Sequence, residues 1–188
     1  MKCLLTVLSF ALFTSAFAAQ LKIDSTKSKV GFEIYKYKIG GPVNGEFKQY
    51  EGTLDYDKAT QTISNVNVTV QAASIDTQDA KRDEHLRTAD FFDTTTFKTL
   101  TFTSTEKAVI KDNKANIKGK LTIKDKTQDV TLNLEVKGSV DAPVFTASTT
   151  IDRNKFGISW NNTFKVADLS KNVLADEVKI ALEISTKN

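Results

Sequence analysis

Apolar and polar residues alternate along most of the chain. Val30, Phe32 and Ile34 share one face, and Lys29, Glu33 and Tyr35 the other. Val66, Val68 and Val70 alternate with Asn67 and Thr69, and Leu100 and Phe102 with Thr101 and Thr103. The same period runs through Ile117–Ile123, Val130–Val136, Phe145–Ile151 and Val178–Ile184. A period of two places every second side chain on one side of a pleat, which predicts half-buried antiparallel strands. With Val43–Tyr56 this makes eight strands. Short polar links separate them: Gly40-Gly41-Pro42, Asp57–Thr60, Asp112–Lys114, Lys124–Lys126 and Val140–Pro143. Such links suit hairpins, and eight meandering strands protect their edges by closing into a barrel or folding into a sandwich.

Two stretches break the alternation. Asp76–Asp93 is dense in charge, and Asp76 or Thr77 is placed to cap a short helix ending near Arg87. Phe156–Asp176 carries Trp160, the sole tryptophan, followed by Asn161-Asn162. Long ordered insertions in a small barrel are disproportionately functional.

The amino terminus has a different pattern. Lys2 precedes an apolar run from Cys3 to Phe13, and Ala16-Phe17-Ala18 places small residues where a signal peptidase reads them. This predicts a signal peptide over residues 1–18, cleavage between Ala18 and Ala19, a mature domain over 19–188 and a periplasmic location. The run is shorter than the roughly 20 residues that span a bilayer, and Cys3 lies at its start, where it does not serve as a lipoprotein cysteine. The mature chain then holds no cysteine, so it must rely on its core without disulfides. No other long apolar run is present, so neither an integral membrane protein nor a membrane anchor is expected.

Composition narrows the chemistry. Of 188 residues, 26 are Lys or Arg and 23 Asp or Glu, a formal charge of +3 with no basic block, so nucleic acid is not the expected partner. One His and one Cys are too few for a His/Cys metal site. Asp55, Asp57, Asp90 and Asp93 supply oxygens without calcium-loop spacing, and no metal or other cofactor is expected. Nucleophile-elbow, phosphate-loop and dinucleotide motifs are absent. His85 lies among Asp79, Arg82, Asp83, Glu84, Arg87, Asp90 and Asp93. It is either a general base oriented by a carboxylate or a member of an ion-pair cluster that pins the insertion. The second reading is favoured because no nucleophile accompanies it, so no enzyme activity is expected. Phe91, Phe92, Phe97 and Phe102 either plug the barrel or line a cavity mouth, since an eight-stranded barrel has room for side chains or for one small ligand.

Arg82-Asp83-Glu84-His85-Leu86-Arg87, Phe91-Phe92-Asp93 and Leu100-Thr101-Phe102 resemble the central signature of the YceI-like family. Val43–Phe47, Tyr50-Glu51-Gly52, Gly119–Ile123, Ile151–Trp160 and Asp176–Ile180 follow in family order. The resemblance implies an all-β, eight-stranded antiparallel lipocalin-like barrel with a short helix in a long loop. It also implies an elongated apolar tunnel that binds a polyisoprenoid or similar long-chain amphiphile, quinone-like or fatty, without a metal. The candidate lining residues are Phe32, Ile34, Phe47, Val68, Val70, Phe92, Phe97, Leu100, Phe102, Leu121, Phe145, Phe156 and Trp160. The chain departs from the family pattern at Lys27-Ser28, Tyr35–Lys38, Lys98 and Lys124–Thr127, so the identity of the lipid is not carried over. A secreted interaction module and a homodimer stay open.

Overall fold

The computed structural model describes residues 18–36, 41–139, 142–160 and 174–187. The expected cleavage site therefore lies at the first described residues, and the rest of the leader lies outside them. Twelve strands form along the described chain. They are β1 Ala19–Ile23, β2 Lys29–Lys36, β3 Gly41–Phe47, β4 Tyr50–Asp57, β5 Thr62–Gln71, β6 Ile75–Asp76, β7 Thr99–Ser104, β8 Ala108–Val109, β9 Lys114–Ile123, β10 Lys126–Ser139, β11 Ala142–Asp152 and β12 Leu174–Lys187. One short helix, α1, spans Ala80–Leu86.

Twelve strands and eight predicted ones describe the same wall. Hydrogen bonding closes the ring β1-β4-β5-β7-β9-β10-β11-β12, with β1 returning to β12 through Lys22↔Lys187 and Ile23↔Thr186. β2 continues β1 along the same partner, from Glu183↔Lys29 to Leu174↔Lys36. β3 pairs with β2 as β4 pairs with β1. β3 and β4 are the one predicted strand Val43–Tyr56 interrupted by a short break, whereas β2 is the predicted Val30–Ile34 strand and β1, before its own break, is not among the strands that the alternation predicts. At the first break the Asp24 carboxylate accepts from Thr26 N and Oγ1, and those bonds hold its carboxyl below the usual range. At the second, Lys48 N donates to Ser74 O. The result is a closed eight-stranded antiparallel barrel with one short helix.

Register follows the sequence with three exceptions. Gly41 and Pro42, expected in a turn, belong to β3 opposite Lys36 and Tyr35. Asn65, with φ 49°, inserts an extra residue into β5, so that both Ile63 and Val66 point inward. A third irregularity separates Leu174 from Val178 in β12. Asp112-Asn113, by contrast, behaves as a two-residue hairpin should: both residues have positive φ, between the bridged Lys111 and Lys114.

The core has two storeys. At one end Tyr56, Ile63, Ile117, Leu134 and Phe145 are buried, with Tyr56 and Phe145 edge to face at 6.0 Å. At the other, Phe47, Ile75, Phe91, Leu100, Ile151 and Phe156 form a second cluster under α1. Gly119 lies under Phe102: a Cβ there would stand 2.4 Å from the ring's Cζ. That missing side chain lets the ring lie against the wall instead of crossing the lumen. Outward positions such as Lys118, Lys120, Asn133 and Glu135 are exposed. Membrane-spanning barrels carry the opposite arrangement, an apolar band outside and polar groups within. Among the described residues no helix is long and apolar enough to cross a membrane.

Candidate functional site: an apolar cavity under a short helix

The second storey is incompletely filled. A cavity of about 500 Å³ opens beneath α1, within the size range of small-molecule sites. It continues past Phe32, Phe47, Leu100, Ile123 and Ile180 into a deeper space of about 150 Å³. No charged residue lines the deeper part. Charge is confined to the outer part, where Lys36, Asp79, Lys81, Arg82, His85 and Arg153 stand among apolar neighbours.

Side-chain clamps hold the roof in place. Asp79, rather than Asp76 or Thr77, caps α1 by accepting from Arg82 N. Asp76 instead accepts from Gln78 N, which holds its carboxyl below the usual range with help from Lys48. Buried Thr77 donates its N–H and its hydroxyl to buried Asp83. Arg82 donates to Thr77 Oγ1 and O, both at 2.7 Å, and Arg87 donates to Ala73 O and Ile75 O, both at 2.8 Å. The R-D-E-H-L-R run is thus the fastening of the helix to the barrel rim.

Arg153 does the same for the second insertion. It is only 3% exposed, at the start of a 3₁₀ turn, Arg153–Phe156, that ends at Gly157 with φ 71°. Its guanidinium donates to Ala175 O at 2.8 Å, Ile158 O at 2.8 Å, Trp160 O at 2.9 Å and Leu174 O at 3.2 Å. Burial pushes its pKa down, while Asp176 and Asp152 favour the charge. An arginine remains a cation under such conditions.

His85 joins the two roofs. Its Nε2 lies 2.8 Å from Asp90 Oδ2, and its ring meets Phe91 and Trp160 edge on, at 5.1 and 5.4 Å. Phe91 and Trp160 rings are 5.2 Å apart. The His85–Asp90 pair is solvent-facing, at 43% and 56% side-chain exposure. A histidine–carboxylate pair alone lacks the third group of a nucleophilic constellation. Among the described residues no three His, Cys, Asp or Glu side chains are grouped to hold a metal.

Most expected lining residues come together here. Phe32, Ile34, Phe47, Phe92, Leu100, Phe156 and Trp160 line the outer cavity, and Val68, Val70, Phe102, Leu121 and Phe145 the deeper space. Phe97 does not belong with them: it is half-buried away from both, with Lys124 Nζ 6.0 Å from its ring centroid. Its position in the Phe91–Phe102 run suggested the mouth, but the chain between Phe92 and β7 carries it off. Ile123, Ile151, Val178 and Ile180 also line the cavity, and their inward parity was available from the alternation. Lys36, Lys81 and Arg153 had no such signal. The predicted second insertion is described only at its ends, since residues 161–173 lie outside the described ones.

Comparisons with known proteins agree with this geometry. A YceI-like domain matches residues 21–186. Protein YceI of Shigella flexneri is 40% identical over 132 residues, covering 69% of this chain and 68% of that protein. The crystal structure of Burkholderia cenocepacia BcnA superposes with a TM-score of 0.73 at 29% identity, covering 88% of this chain and 99% of that one. A polyisoprenoid binding domain from Saccharophagus degradans shares the fold, with a TM-score of 0.63 at 16% identity over 90% of this chain and 98% of that one. The barrel, its R-D-E-H-L-R clamp and the match over nearly all of the described residues place this chain in the YceI-like family.

Proposed function

We propose that this protein is an exported carrier that holds a polyisoprenoid or similar long-chain amphiphile in the barrel lumen. The observation that carries this reading is the uncharged deeper space beneath an outer cavity that holds all the charged lining residues. A charged ligand group would find no ionic partner in the deep part, whose polar side chains are the hydroxyls of Thr53, Thr101 and Thr149. An alkyl or isoprenoid chain gains about 0.8 kcal/mol for each methylene it buries there. The Saccharophagus degradans domain, described as polyisoprenoid binding, supports the same ligand class. The leader pattern supports export to the periplasm. Within this reading His85 is a structural link between α1 and Trp160, and the protein stores or moves its ligand without transforming it.

The test is direct. Protein purified from the periplasm without detergent is extracted with organic solvent and analysed by mass spectrometry, alongside its intact mass. The expected result is one chain-bearing lipid per protein and a polypeptide beginning at Ala19. An empty extract, together with no uptake of added isoprenoid or fatty chains, overturns the carrier reading. Retention of residues 1–18 overturns cleavage at Ala18.

A further inference from the structure

The charges at the mouth are unequal. Four cations, Lys36, Lys81, Arg82 and Arg153, line the outer cavity against one carboxylate, Asp79. Asp79 lies 3.8 Å from Arg82 and is half-exposed. Asp90 is bonded to His85, and buried Asp83 is linked to Arg82 through the Thr77 hydroxyl, so these carboxylates weigh against the roof's own cations rather than against Lys36 or Lys81. Arg153 is engaged with backbone carbonyls and, at 3.4 Å, with Asp176. Lys36 and Lys81 have no ion-pair partner among the described residues. Two ammonium side chains without an ion-pair partner among the described residues therefore line the outer part of a largely apolar cavity, an arrangement that favours an anionic group there.

We infer that the mouth selects amphiphiles with an anionic head group, a phosphate or a carboxylate, held between Lys36 and Lys81 while the chain runs inward. This rests on the carrier reading above and narrows it. The uncharged deeper space fixes the orientation, because a charged head buried there would be unsolvated and unpaired. An alcohol or quinone head forms hydrogen bonds at the rim without the Coulombic attraction. A cationic head is repelled.

The experiment uses the delipidated mature protein and matched probes: geranylgeranyl phosphate, geranylgeraniol and geranylgeranylamine, with palmitate against hexadecanol for the carboxylate. Affinities are measured by competition against a fluorescent fatty probe. In about 0.05 M salt the phosphate is expected to bind about ten-fold tighter than the alcohol, the gap narrowing in about 0.5 M salt as screening shortens. The double variant Lys36→Glu/Lys81→Glu is expected to bring the phosphate-to-alcohol ratio to about one or below. Lys36→Gln/Lys81→Gln, which removes charge without reversing it, gives an intermediate ratio, and a urea midpoint for each variant reports its folding. Equal affinity for phosphate and alcohol in the wild type, or a ratio unmoved by the folded variants, overturns the head-group inference and leaves chain binding standing. Tight binding of inorganic phosphate alone overturns it in favour of a free-anion site. Binding of none of the chains overturns the carrier reading and this inference with it.

Discussion

Arg153 and His85 are both polar residues at the cavity, yet burial gives them opposite energetic weights. Arg153 satisfies four backbone carbonyls from a nearly fully buried position. Replacing it with Met keeps much of the volume and orphans those acceptors. Each unmade bond to a charged donor costs about 1.5–3 kcal/mol, moderated where water reaches the carbonyl. Arg153→Met is therefore expected to lower stability by about 3–5 kcal/mol, and Arg153→Lys by nearly as much, because an ammonium cannot span the fork. Urea denaturation of the delipidated protein measures both; a loss below about 1 kcal/mol would show that the clamp is not needed. His85→Ala should cost less than about 1 kcal/mol, since its partner is exposed and the pair is screened. The same substitution removes the ring that stands against Trp160, so a shift in tryptophan emission of the folded variant is expected. An unchanged spectrum would mean that the His85 ring does not sense the indole in solution.

At the scale of elements, the strands were legible because alternation is a direct consequence of the pleat. All eight predicted segments occupy the barrel wall, and Asp112-Asn113 announced its hairpin through residues that tolerate positive φ. The breaks were less visible. Residues 24–28 and Lys48-Gln49 interrupt strands without proline: the first break joins a local Asp24–Thr26 turn to bonds with Ser185, the second bonds to Ser74, and it is these distant partners that no local pattern encodes. The bulge at Asn65 flips parity within one strand, and its only sequence mark is an asparagine. That mark is testable. A β-branched residue at a positive φ is strained by about 1–3 kcal/mol, whereas glycine adopts it freely. Asn65→Val should lower the urea midpoint by that amount, and Asn65→Gly should stay within about 1 kcal/mol of wild type, the loss of its exposed bond to Asp55 included. Similar losses for both would locate the role of Asn65 in its side chain instead. The lining residues on strands were readable for the same reason as the strands. Lys36, Lys81 and Arg153 became functional candidates only when the roof folded over the opening, because their meaning depends on contacts far apart in sequence.

The whole molecule is a closed wall whose helix-covered storey holds the larger space and whose opposite storey holds a smaller one, so chain length should be measured by depth. Ile123 stands where the outer cavity meets the deeper space. In the wild type, affinity for a homologous series of fatty acids should rise about four-fold per added methylene while the chain still advances. It should level off once the deep part is occupied. Ile123→Trp places an indole at the junction. Because that side chain enters a space already partly empty, the packing cost should stay near the lower end of the usual 1–3 kcal/mol for enlarged core residues. Short chains that end before the junction should keep their affinity to within about two-fold, since the rim and outer cavity are unaltered. Longer chains should lose the gain that the deeper space provided, so the plateau moves to a shorter length. A saturating ligand raises stability by about 2.7 kcal/mol at a hundred times its dissociation constant. The urea midpoint, read with each chain at a fixed concentration, therefore reports the same ruler without a spectroscopic probe. If the variant folds and its affinity climbs with chain length just as the wild type does, the chain does not pass Ile123, and the deeper space is a packing defect of the barrel core rather than part of the binding site.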